Sequence, residues 1–176
     1  MSSELYDKIV SERGRLENLI ARIPGFKGYQ EKQARRTADR MLRDFISDEL
    51  DRRITRFVQL ENKIIDNGGL KFMSKSRDAK ARLQLYRDKI NTAAPKYDGM
   101  WAQMKIGTEE LDKIYSFDEA QIRYVDQFDA ALDDLEQAIG TDTLGDALEK
   151  VHSLASEAIN AFSLRDDVLT GLSKTL

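Results

Sequence analysis

Residues 108–139, TEELDKIYSFDEAQIRYVDQFDAALDDLEQAI, decide the fold. Ile114, Phe117, Gln121, Tyr124, Phe128, Ala131, Leu135 and Ala138 recur there in alternating steps of three and four. That spacing holds them on one helix face and makes a coiled-coil-like seam. Glu109 and Glu110 open the segment, where carboxylates suit the positive end of the helix dipole. Gly140 closes it.

A second long helix follows from Thr143 to Leu172, with Leu144, Leu148, Val151, Ala155, Ala158 and Phe162 on one stripe. The connection between the two is short, so they should be antiparallel neighbours. Upstream, Ser74–Thr92 reads as a helix with Ala79, Leu83, Tyr86 and Ile90 in register. Tyr29–Asp66 reads as a rod ending at Asn67-Gly68-Gly69. Its apolar face shifts from Ala34, Ala38, Met41 and Phe45 to Leu50, Ile54, Phe57, Val58 and Ile65. No Gly or Pro interrupts it near Ser47-Asp48-Glu49, so a continuous helix is expected. The first helix should span Ser3–Arg22, weakened at Gly14. Pro24, Gly25 and Gly28 mark a turn after it. Residues 93–107 are the least regular, with a short helical turn expected over Tyr97–Met104.

These elements define an all-α protein. The expectation is one domain over residues 1–176, an elongated antiparallel bundle of about five helices with coiled-coil-like packing. The composition agrees. Of 176 residues, 34% are charged and 41% hydrophobic, and proline occurs only twice, which suits amphipathic helices. Cysteine is absent, which excludes disulfides, thiolate metal sites and cysteine nucleophiles. The N-terminal residues lack the basic and apolar regions of a secretory signal. No window is apolar enough for a membrane span. A cytoplasmic location is the expectation.

The net charge of −3 conceals a division. Residues 1–106 carry 23 Lys/Arg against 15 Asp/Glu, and residues 107–176 carry 5 against 16. The acidic helix at 108–139 should therefore pack near the basic helices before it. Lys32, Arg36, Arg40 and Arg43 are spaced to form a basic stripe, a candidate face for phosphates or anionic lipid headgroups. Asp39, Asp44 and Asp48 are the acids that could instead pair with it. Overall acidity argues against nucleic acid as a partner. Met100, Trp101 and Met104 are a candidate apolar docking segment, since Trp and Met favour interaction surfaces.

Constellations for catalysis are incomplete. Glu149 and His152 reproduce the Glu-x-x-His pair of carboxylate-bridged di-metal bundles. A second such pair is missing, and His152 is the only histidine. A Ser-His-Asp arrangement would need the same histidine and has no glycine-flanked serine elbow. Gly25-Phe26-Lys27-Gly28 lacks the Gly-Lys-Ser/Thr ending and preceding strand of a phosphate-binding loop. No catalytic residue, metal ligand or cofactor site is therefore assigned.

The segments Ile-Pro-Gly-Phe-Lys-Gly-Tyr at 23–29 and Leu-Asp-Lys-Ile-Tyr-Ser-Phe-Asp at 111–118 resemble parts of an uncharacterised group of prokaryotic all-helical proteins, over residues 15–140. The resemblance implies a cytosolic bundle and carries no activity and no functional residue. The functional expectation is a non-enzymatic interaction or scaffold protein with a protein partner, or one that self-associates through the 108–139 seam. Binding to anionic membranes through the basic half is the alternative. A carboxylate-rich di-metal enzyme is the remote one.

Overall fold

A computed structural model describes residues 2–12, 16–92 and 106–174. It is all-helical, with no strand among the described residues. Six α-helices are described: α1 (Ser2–Ser11), α2 (Leu16–Arg22), α3 (Arg35–Asp66), α4 (Met73–Thr92), α5 (Thr108–Ala138) and α6 (Leu144–Lys174). The expected first helix is thus seen as two pieces, with Gly14 outside the described residues. Met100, Trp101 and Met104, and the turn expected at 97–104, also lie outside them.

The rod is continuous through Ser47–Glu49, but α3 begins at Arg35 after a single 3-10 turn over Lys32–Ala34. Its 32 residues make it about 48 Å long. At its other end the backbone N–H of Gly69 donates to Ile64 O at 2.8 Å and reverses the chain. At the start of α5, the Gly107 N–H donates to Glu110 Oε2 at 3.0 Å and satisfies one orphan donor.

The four long helices form a ring. Helix α3 packs beside α4 and α5, and α6 packs beside the same two. Side-chain contacts give the directions. Arg53 meets Asp129, Arg56 meets Asp133 and Lys63 meets Glu136, so numbers rise together and α3 runs parallel to α5. Arg87 meets Asp51 and Lys80 meets Glu61, so α3 and α4 are antiparallel. Lys150 meets Asp134 and Arg165 meets Asp118, so α5 and α6 are antiparallel too. The purely antiparallel bundle expected from sequence is therefore corrected: two of the four neighbouring pairs are parallel. The cause is electrostatic as well as apolar, since the parallel α3–α5 seam brings basic residues onto the acidic helix, at 2.6–2.7 Å in those three pairs.

The core lies inside the ring. Every seam residue expected on α5, from Ile114 to Ala138, is buried. Helices α1 and α2 pack outside it, α1 against α5 and α6 and α2 against α5. Ile9 is buried there, and the Tyr6 ring lies 5.7 Å from that of Phe117.

Between α3 and α4, Glu61 accepts from Ser76 Oγ at 2.5 Å and from Lys80 Nζ at 2.8 Å. Burial pushes its carboxyl up, but the bonds from Lys80 and Ser76 outweigh burial and hold it below the usual range. A depressed folded-state pKa means that the unfolded chain takes up the proton more readily. This contribution is present above about pH 4 and is lost as pH falls through the folded value. Stability measured by urea denaturation should therefore decline on acidification below about pH 4, and decline less steeply in Glu61→Gln.

Candidate functional site

The turn after α2 decides what enters the core. Gly25 and Gly28 adopt φ of 79° and 83°, which favour glycine. A Cβ on Gly28 would stand 2.5 Å from the Tyr115 hydroxyl, so the chain passes there only without one. The turn drives Tyr29 into the core at 0% exposure. Its backbone N–H donates to Tyr115 Oη at 3.0 Å.

A buried polar network starts at this tyrosine. Tyr29 Oη donates to Asp118 Oδ2 at 2.5 Å, and Arg165 Nε donates to Asp118 Oδ1 at 2.7 Å. Arg165 Nη2 donates to Asp39 Oδ1 at 2.8 Å, and Arg43 Nε to Asp39 Oδ2 at 2.7 Å. Arg43 Nη1 reaches Ile90 O at 3.0 Å, and its guanidinium sits 5.4 Å from the centre of the Phe162 ring. Arg35 Nε donates to Tyr29 O at 2.8 Å. Thus Asp39, Arg43, Asp118 and Arg165 compensate one another inside the ring and join the turn to α3, α4, α5 and α6.

Burial raises the Asp118 carboxyl, against the pull of Arg165 and the Tyr29 hydroxyl. Burial also pushes the Tyr29 hydroxyl well above its ordinary range, which keeps it a proton donor. Desolvation works against the Arg165 charge, but Asp118 and Asp39 overcome it. The network is therefore a locked neutral set. Its members are buried, and their contacts tie α3, α5 and α6 to the turn that carries Tyr29.

The open site is on the opposite side of α6. A groove of about 1010 Å³ runs between α1 and α6, lined at its floor by Leu5 and Leu164. Ser153, Ser156, Asn160 and Ser163 present short side chains along it. Glu4, Glu149, Glu157 and Asp167 line it, with Lys8 the one lysine or arginine among the lining residues. Glu157 accepts the Tyr124 hydroxyl, whose pKa is raised by burial first and then by this carboxylate.

The expected site residues separate. Lys32 is exposed in the 3-10 turn and Arg36 and Arg40 in the first turns of α3, but Arg43 is buried at 3%. It leaves the basic stripe because the carboxylate four residues earlier, Asp39, draws it into the core. Asp39 is buried with it and is no surface counter-charge. His152 Nδ1 lies 4.0 Å from Glu149 Oε1 at the groove, and no group of three metal-ligating side chains forms among the described residues. The network and the groove were both missed from sequence. The signal for the network was present, since Asp118 and Arg165 fall in the register of their helices' apolar stripes.

Comparison of the chain with protein-family models, with curated proteins and with solved structures finds no match in any of the three. No helix among the described residues is long and apolar enough to cross a membrane.

Removing one partner of a buried ion pair leaves the other charge desolvated and costs about 3–5 kcal/mol. Arg165→Met leaves the buried Asp118 with no cation and Asp39 with Arg43 alone, so its loss in denaturant unfolding should reach that range. Lys150→Met breaks only an exposed pair with Asp134 and should cost about 0–1 kcal/mol.

Proposed function

We propose that this chain is a non-enzymatic helical interaction module whose working surface is the groove between α1 and α6. The observation that carries the reading is the groove itself, an apolar floor bordered by short side chains on the outward face of a helix whose inward face is buried. Such a shape accepts another helix, because Ser and Asn at 153, 156, 160 and 163 let a second backbone approach. The α5 seam serves differently. Its residues are buried, so self-association through that stripe is given up. In this reading the seam packs in coiled-coil-like fashion and stiffens the scaffold that carries the groove.

A second reading, docking to anionic membrane surfaces, retains three exposed cations, Lys32, Arg36 and Arg40. Flotation with anionic liposomes at low and high salt separates the two.

Ser156→Trp tests the groove, because an indole there fills the space between α1 and α6 without entering the core. Affinity capture from the native host, with captured proteins identified by mass spectrometry, should return a partner held by the wild-type chain and lost from the variant. Identical capture by both would remove the groove as the working surface. Circular dichroism should show the same helix content in both chains.

A further inference from the structure

The occupant of the groove follows from its charge and length. Four carboxylates line it, Glu4, Glu149, Glu157 and Asp167, against Lys8. Glu4 and Asp167 make no ion pair with any described residue. From Glu149 to Asp167 the groove follows α6 for about 27 Å at ~1.5 Å per residue, the length of about 18 helical residues. The floor between the carboxylates is apolar at Leu5 and Leu164. Resting on the groove reading above, we infer that the partner is an amphipathic helix of another protein, with one apolar stripe bordered by Lys or Arg. The apolar stripe meets the floor, and the flanking cations meet the carboxylates.

A second copy of this chain fits less well. The exposed large apolar residues described are Ile20, Val58, Ile65, Leu70 and Leu85. They are dispersed over α2, α3, α4 and the α3–α4 turn, so no described outer face offers a continuous apolar stripe edged by cations.

The test uses the full chain and three fluorescent amphipathic peptides of about 18 residues, with Leu on one face and Lys, Gln or Glu on the other. Anisotropy titrations should show saturable, salt-sensitive binding of the Leu/Lys peptide and none of the Leu/Glu peptide. Glu149→Lys with Asp167→Lys should weaken that binding by about tenfold or more, and so should Ser156→Trp. Reversal of Asp44 and Asp48, exposed acids of α3 outside the groove, should leave it unchanged. Equal weakening by the Asp44/Asp48 reversal would mean unspecific attraction and overturn the inference. Tight binding of the Leu/Gln or Leu/Glu peptide, lost in Ser156→Trp, would overturn the cationic partner and leave the groove standing. Leu/Lys binding that survives Ser156→Trp, or binding of no peptide, would overturn both. Sedimentation showing a wild-type dimer that Ser156→Trp returns to monomer would make a second copy the occupant and also overturn it.

Discussion

Arg165 is 1% exposed and lies between two carboxylates, Asp118 and Asp39, at 2.7 and 2.8 Å. Those two contacts tie α6 to both α5 and α3. The link to α3 matters most, because α3 and α6 stand across the ring from each other rather than side by side. Apolar packing is tolerant of small slips and rotations, whereas a buried charge is not. A rotation of α6 that removed Arg165 from Asp118 would leave desolvated charges on two helices. A second polar contact spans the other diagonal, where the Tyr86 hydroxyl of α4 donates to Gln121 of α5. The two polar crossings therefore define which helix faces which, and the apolar residues fill the space that they leave.

The same network reaches the periphery. Tyr29 is the member supplied by the glycine turn, and that turn follows directly on α2. Arg22 of α2 then makes a bidentate contact with Asp126 of α5 at 2.8 Å. Helix α1 is held through Ile9, Tyr6 and the Glu12–Arg123 pair at 2.9 Å. One wall of the groove is thus a short helix fixed against the ring, and the other is α6, fixed by Arg165 from within. A helix anchored on its inner face can present its outer face rigidly, which reduces the ordering cost of binding.

Helix class was legible because three-and-four spacing is a strong local signal, and the α5 seam is buried residue for residue. The core of α3 was less legible, for an identifiable reason. Asp39, Arg43, Ile46, Leu50, Arg53, Phe57, Leu60 and Ile64 form one continuous buried stripe in steps of four and three. Three of its members are charged. A reading that counts only apolar residues loses the stripe at those positions and sees a face that turns. The same happens on α6, where the stripe ending at Phe162 continues through Arg165 to the fully buried Leu169. The antiparallel α5–α6 pair was legible from its short connection, but the parallel pairs were not, because spacing within one helix carries no information on which distant neighbour runs beside it. The groove was illegible too, since it is made by α1 and α6, far apart in sequence, and its polar residues at 153, 156, 160 and 163, in steps of three and four, have the spacing of any solvated helix face.

The charge division of the sequence is resolved unevenly by the fold. Helix α5 gives up much of its acidity. Asp126 meets Arg22, Asp129 meets Arg53, Asp133 and Glu136 meet Arg56, and Asp134 meets Lys150. The exposed pairs among these contribute about 0–1 kcal/mol each, so their larger effect is on register and on the remaining field. Helix α6 is treated differently. Its Asp146, Glu157 and Asp167 have no cation at ion-pair distance among the described residues, and Glu149 has only His152 at 4.0 Å. Most of the acids at the middle and C-terminal end of α5 are thus paired, whereas the unpaired acids of α6 run along much of its length. Glu149, Glu157 and Asp167 lie along the face of α6 that borders the groove with α1. Unpaired like charges on a folded surface repel one another, and at physiological salt that repulsion persists over about 8 Å. A cationic partner removes the repulsion as it binds. Under the groove proposal, the surplus negative charge and the apolar floor favour the same kind of occupant.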